Sequence, residues 1–358
     1  MAEQQVTLRQ IAEKANVSVA AVSYALHGKG RMSPQMRSQL ERMLKEAGYK
    51  PSYKLRPVLY ISSHRIFRDM HILQPLLSKY EGISTAFHGE EVPHRLELLH
   101  MPGSPSPQAQ LEQLLSYRPS GVLLDTDLAE AVEEVSRFFR ENGVPAVQVG
   151  HVQRAPGMDS VIVDSFGGAY TGTQHLIKQG HKRIAIIRWN VQNDPASRQK
   201  FAGFTCAMDE AGLEVPAEYV VESPLGRQPH GQPGRIAIEQ LLALPKPPTA
   251  VFVENSFVSP SLLYPLPPER TVPQRIAELD MVHFEAWSLD WIEQVAVSKF
   301  SMPARNAKLL RIDWYQMGHV AAKRMLARLE SDDTSEQIIR LAPRLVHVHD
   351  DQETPLNS

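Results

Sequence analysis

From residue 58 onward, short apolar runs alternate with stretches of helical periodicity, and that alternation leaves few architectures open to the chain. The runs fall at 58–61, 121–124, 146–149, 161–163, 184–187, Ala250–Val253 and 281–284. Between many of them lie helical patterns at 108–116, 128–142, 168–179, 197–211 and 235–243. A strand that returns through a helix comes back parallel to its predecessor, and a parallel sheet is covered by helices on its faces. Roughly 300 residues of such units exceed one core and divide into two α/β lobes. The stretches 224–233, 245–248 and 260–273 are proline-broken and read as loops.

The first fifty residues have a different texture. Thr7 and Gln10 make a capping-box pair ahead of Leu8, Ile11, Ala12 and Ala15, which share one helical face. Asn16-Val17 breaks that run, and Ser18 caps a second helix carrying Val22 and Leu26. After His27-Gly28-Lys29-Gly30, Ser33 caps a third helix with Pro34 at its first position, where proline is tolerated. Its apolar stripe is Met36, Leu40, Leu44 and Ala47, and Gly48 ends it. None of the three can bury much alone, but together they close a small core. The tight second connection has the spacing of a helix-turn-helix.

Charge separates the same two regions. Residues 1–57 hold ten Lys or Arg and four acids, a net of +6, and the remaining residues carry −8. A basic head on an acidic body is the distribution expected when only the head meets phosphates. The lone Cys206 leaves no intramolecular disulfide or cysteine-based zinc cluster, no apolar stretch is long enough to cross a bilayer, and MAEQQ carries no secretory pattern. A reducing cytoplasm is the expected compartment, with no membrane partner. An enzyme is disfavoured, since there is no phosphate-binding glycine loop, nucleophile elbow or zinc-helix signature. The run His347-Val348-His349-Asp350-Asp351 reads as a polar terminal strand and tail. No cofactor is expected, and a transport-type solute-binding protein does not fit the basic head.

The head closely resembles that of the LacI/GalR family of bacterial repressors. The resemblance rests on Val6-Thr7-Leu8 with Ile11-Ala12, Ala15-Asn16-Val17-Ser18, Ala21-Val22-Ser23, Leu26, Ser33-Pro34, Arg37 and Gly48-Tyr49-Lys50-Pro51. It continues through Val163-Asp164-Ser165, Gly168-Ala169, His175-Leu176-Ile177, Gly180 to Ala185, Gly203-Phe204, Gly212-Leu213, and Leu310 to Asp313 with Met317-Gly318 and Ala321-Ala322. It implies an all-α helix-turn-helix head plus an α/β, two-lobed, periplasmic-binding-protein-like body with parallel sheets. The expected divisions are a head at 1–51, a linker at 52–57, a body at 58–345 and a polar tail at 346–358. Within the body the first lobe would take 58–157 and 287–311, and the second 158–286 and 312–345. The resemblance further implies a homodimer on a pseudo-palindromic double-stranded DNA operator, modulated by a small-molecule effector such as a sugar or other metabolite. A relative without small-molecule response, constitutive or governed by a protein partner, is the alternative.

In such a head the second helix enters the major groove. Val19 and Ala20 then offer methyl contacts suited to thymine, and Tyr24 a hydroxyl for a base or a phosphate. Thr7, Ser18, Ser23 and Arg31 are expected phosphate contacts, which set register without reading sequence. Family members carry a longer linker with a leucine-bearing hinge helix; here Ser52-Tyr53-Lys54-Leu55-Arg56-Pro57 runs straight into the first strand. Leu55 is the residue placed to wedge a minor groove, on a tether that Pro57 disfavours as helix. The effector site also departs from the family's pattern: Lys200 stands for the usual arginine, Asn255-Ser256 for an asparagine-aspartate pair, and Glu285 closes the later motif. Lysine gives a point charge in place of a planar fork. Trp189, Ser63, His64 and Asp125 follow other strand ends, where open α/β sheets place ligands.

Overall fold

The computed structural model describes residues 7–27, 32–47, 56–63, 70–99, 107–125, 131–152, 158–189, 194–223, 232–255, 262, 273–285, 307–330 and 335–347. The head is three helices, α1 (Leu8–Ala15), α2 (Val19–His27) and α3 (Pro34–Glu46). Thr7 and Gln10 do form a reciprocal capping box, and Asn16 ends α1 in the left-handed conformation at φ 53°. Ser18 and Ser33 each accept a backbone N–H, from Ala21 at 3.1 Å and Met36 at 3.2 Å, so α2 and α3 begin where the sequence places them. Ile11, Ala12, Val22, Ala25, Leu40 and Leu44 make the core. Met36 departs from its expected stripe: it is 37% exposed, because it lies in the first turn of α3, beyond the reach of α1 and α2.

The body alternates as expected: β1 (Val58–Ser63), α4 (Met70–Gly89), β2 (His94–Leu99), α5 (Pro107–Ser116), β3 (Gly121–Asp125), α6 (Ala131–Glu141), β4 (Ala146–Gly150) and β5 (Asp159–Val163). There follow α7 (Ser165–Lys178), β6 (Ile184–Trp189), α8 (Pro195–Glu210), β7 (Val220–Ser223), α9 (Gln232–Leu242), β8 (Ala250–Val253), α10 (Gln274–Ala277) and β9 (Asp280–Glu285). The chain then forms β10 (Ala307–Arg311), α11 (Trp314–Glu330), β11 (Ile338–Leu341) and β12 (Arg344–His347). The described strands form two six-stranded sheets, β11-β5-β4-β3-β1-β2 and β12-β10-β9-β8-β6-β7, parallel throughout except where β12 runs against β10.

The expected lobe boundaries need correction. β5 belongs to the first sheet, so that lobe extends past 157, and β10 belongs to the second sheet, so 307–311 leaves the first lobe. α11 packs on α4 and on β3, β4 and β5, and β11 completes the first sheet, so much of 312–345 changes lobe. β12 reaches two residues into the expected tail. The physical reason is that a buried parallel strand is apolar on both faces and suits either sheet equally well. The chain crosses between sheets three times, at Asp164, at Ile312-Asp313 and at Ala342-Pro343. Two bonds tie the crossings together: Asp164 N–H to the Leu341 carbonyl at 2.9 Å, and Arg344 to Asp313 at 3.6 Å.

α4 and α11 make the tightest helix contact of the first lobe. A Cβ on Gly82 would fall on the Tyr315 carbonyl, and one on Gly318 on the Lys79 carbonyl. Glycine at both positions is what lets the two backbones touch. The same lobe is clasped by Asp159, fully buried in β5, which accepts from the Nε of Arg324 and of Arg328 at 2.6 Å each and from the Gln337 backbone at 2.8 Å.

Candidate functional site

On the head, the positions expected to read DNA stand free of the core. Val22 and Ala25 of α2 are buried, whereas Val19 is 45% exposed, Tyr24 is 49% exposed and Ala20 is also exposed. Helical spacing puts Ala20 and Tyr24 on the arc opposite the buried pair, while Val19 flanks Val22 at the first position of the helix. Ser23 is half-buried, and Thr7 and Ser18 are exposed with hydroxyls engaged in capping. Arg31 and Leu55 lie outside the described residues.

The crossings also define the second site. β5 and β11 leave the first sheet at their C-terminal ends to enter the second lobe, and β10 leaves the second sheet at its C-terminal end to enter α11. The carboxyl edges of both sheets therefore face one another across the crossings, the location where open α/β sheets hold ligands. On the first-lobe side lie Ser63, Asp125 and His151; on the second-lobe side lie Arg188, Glu254, Asn255 and the start of α8.

The polar groups here form two sets. Lys79 of α4 contacts Asp125 at 2.7 Å with both side chains buried, and the Tyr60 hydroxyl donates to the same carboxylate oxygen. Opposite, Arg188 meets Glu254 at 3.4 Å, donates to Ser197 at 3.2 Å and stacks on Phe201 at 4.4 Å. Lys200 donates to the Glu254 carbonyl at 3.0 Å and lies 4.4 Å from the Phe284 ring centroid. Burial lowers the Lys200 pKa against the pull of Glu254 and Asp194, and burial raises that of Glu254 against Lys200, Ser197 and Arg188. His151 packs edge-on to Trp314 at 4.9 Å and titrates at about 3, chiefly because it is desolvated and then because Lys200 and Lys79 repel its charged form. It is thus a neutral imidazole, one donor and one acceptor, sensing charges from both lobes.

Several expected effector residues meet this arrangement differently. Lys200 is at its centre. Asp125 is there too, but fully buried and engaged by Lys79 and Tyr60, so it supports the site from beneath. Ser63 is buried at the end of β1, and Asn255 is half-buried just beyond β8. His64 and Ser256 lie outside the described residues, as do the side chains of Trp189 and Glu285, whose backbones end β6 and β9. Sequence reasoning passed over Tyr60, Lys79, His151, Arg188, Glu254 and Trp314. The strand-end rule reaches Arg188 and Glu254, each one residue from Trp189 and Asn255, but does not say which of two neighbours turns inward. For Lys79, a lysine within an apolar helical face was the available signal.

Head and body together define a class, DNA-binding transcriptional regulators that carry a periplasmic-binding-protein-like domain. Residues 7–52 match the bacterial regulatory proteins of the lacI family, and residues 81–259, half of the chain, match the periplasmic binding proteins and sugar binding domain of the LacI family. Among curated proteins, catabolite control protein A of Priestia megaterium is 21% identical, over 95% of this chain and 97% of its own. The HTH-type transcriptional repressor CytR of Escherichia coli K12 is 26% identical, over 88% of this chain and 92% of its own. A solved lac repressor dimer bound to operator and the anti-inducer ONPF shares the fold with TM-score 0.56 at 18% identity, over 96% of this chain and 98% of that one. The chain belongs to the LacI family of bacterial transcriptional regulators.

Proposed function

We propose that this regulator represses transcription as a homodimer on a pseudo-palindromic operator, and that a small polar metabolite, a sugar in the first instance, binds between its two sheets and modulates that activity. The observation that carries the DNA half is the exposure of Val19, Ala20 and Tyr24 on a capped helix in a head of net charge +6. A head this small reads only a few base pairs, so useful specificity requires two. Neutral His151, the Lys200 ammonium and the Trp314 and Phe284 rings offer the mixture of donors, acceptors and apolar faces that a polyhydroxylated ligand uses.

Selection of binding sites from random DNA tests the first half. The expected result is a two-fold symmetric sequence whose preferred bases change in Ala20→Arg; an unchanged sequence means that α2 does not read bases. Titration of candidate sugars against tryptophan fluorescence tests the second. Saturable quenching in the wild type, weakened in Lys200→Met, is expected. No response across a broad metabolite panel favours the relative without small-molecule control.

A further inference from the structure

The tether between head and body is short, and the head also touches the body elsewhere. Arg118, in the turn between α5 and β3, extends its guanidinium to two elements of the head. Nη1 donates to the Ala25 carbonyl of α2 at 3.1 Å, and Nη2 meets Glu41 of α3 at 3.2 Å. The first contact places a cation near the carbonyl-rich C-terminal end of the recognition helix, where the helix dipole favours positive charge. Immediately below, Ser120 fixes the end of the tether: its backbone N–H donates to Pro57 O at 3.0 Å and its hydroxyl to Arg56 O at 3.2 Å.

Two features separate this contact from casual surface pairing. Arg118 adopts φ 53°, the left-handed region that disfavours L residues with a full side chain and favours glycine. The turn alone would be better served by glycine, so the guanidinium is retained against local preference. Secondly, Arg56 lies in the field of the same groups: its pKa is lowered by burial and then by Arg118, with Glu41 opposing, and its Nε finds no hydrogen-bond partner among the described residues. Glu41 is thus paired with one guanidinium and lies in the field of a second, an arrangement that forms only with the head seated. The reading face stays clear, since Val19 and Tyr24 remain about half exposed while α2 is gripped through a backbone carbonyl near its C-terminal end.

We propose that Arg118 is a positioning residue for DNA binding: it docks the head on the first lobe through Ala25 and Glu41, fixing the angle at which the recognition helix is presented beyond a tether of only six residues, 52–57. The proposal rests on the DNA-reading role of α2 and takes it one step further, to what aims that helix. Docking means that head and first lobe move as one body, so a shift of the lobe is a shift of the reading helix. The free head no longer has to be ordered on binding, which is where preorganisation gains affinity.

Arg118→Gly is the discriminating variant in the full-length protein, because it removes the guanidinium while relieving the left-handed turn. Its melting midpoint is expected to equal or exceed that of the wild type, so lost binding cannot be ascribed to unfolding. Chymotryptic cleavage at Tyr49 and Tyr53 should accelerate, head resonances should sharpen as the head tumbles freely, and selected-operator affinity should fall roughly three- to tenfold with random-DNA affinity little changed. Arg118→Glu should behave likewise, and adding Glu41→Arg should restore slow cleavage, a coupling that a merely structural arginine does not produce. Cleavage that does not rise in Arg118→Gly overturns the docking. Cleavage that rises while operator affinity holds overturns the positioning role. Failure of the wild-type protein to select any sequence would instead count against the DNA-reading assignment itself.

Discussion

Lys79→Met is the perturbation that best tests how the interlobe site is supported. The lysine is 1% exposed and Asp125 is 0% exposed, at 2.7 Å, with the Tyr60 hydroxyl on the same oxygen. Removing the ammonium leaves a fully buried carboxylate without its countercharge, and breaking such a buried pair costs about 3–5 kcal/mol. For a body of this size that is a fall in melting temperature on the order of 10 °C. The loss should depend on pH in a definite direction. Without Lys79, the folded-state pKa of Asp125 rises above its unfolded value, so the folded variant takes up a proton more readily than the unfolded chain. Its deficit against the wild type should then shrink as pH falls from 7 toward 5, by up to about 1.4 kcal/mol per pH unit. Removing all three polar groups together, as Lys79→Met/Asp125→Leu/Tyr60→Phe, leaves no stranded charge and should lie within about 2 kcal/mol of the wild type. Urea unfolding of the three proteins at pH 7 and pH 5 measures each quantity. A single-variant cost under about 1 kcal/mol, or a deficit that does not change with pH, refutes the reasoning.

Three further outcomes follow from the same structure. His283 is wholly buried and titrates at about 3 because of desolvation, so the unfolded chain binds a proton first. Its contribution is complete above the unfolded value near 6.5 and is lost toward pH 3 at up to about 1.4 kcal/mol per pH unit; His283→Phe should flatten the acid limb of a stability profile, and an unchanged limb contradicts the assignment. Gly318→Ala forces a methyl onto the Lys79 carbonyl and should cost at least about 2 kcal/mol in calorimetry, against a few tenths for Gly89→Ala, where a Cβ meets nothing. The short tether at 52–57 leaves room for about one helical turn, which is not stable alone, so circular-permutation gel shifts should show little operator bending. A strong kink abolished by Leu55→Ala would restore that residue as a minor-groove wedge.

The head was almost fully written in its sequence, because its determinants are local: a capping residue, a helical stripe, a left-handed stop. Thr7, Ser18 and Ser33 announce three helix starts before any tertiary contact forms. In the body seven of the twelve described strands stood out as apolar runs, whereas β2, β7, β10, β11 and nearly all of β12 did not. α4 escaped notice as well: Pro75 and Gly82 interrupt its pattern, and Gly82 makes sense only beside Tyr315 of α11. Sheet membership was not readable for β5, β10 and β11, since nothing in an apolar strand names its neighbour. The interlobe site was half readable for the same reason. Lys200 stands out by position, but the pairing of Lys79 with Asp125 joins a helix to a strand end 46 residues away and is visible only once both are folded.

The strand that closes the first sheet is made long after the strand it pairs with. β11 pairs with β5, and Gln337 reaches Asp159 across 178 residues of chain. At a synthesis rate of about 5–20 residues per second, β5 waits on the order of 10–40 s with its outer edge unpaired and Asp159 without Arg324 and Arg328. Throughout that interval the head is already complete, since its core draws only on residues before 48. A growing chain therefore owns a basic, DNA-competent head well before it owns the lobe meant to hold it. It also presents an open strand edge to every neighbouring nascent chain on the same message. For this molecule the hazardous period is birth, and its length is set by how late in the chain β11 lies.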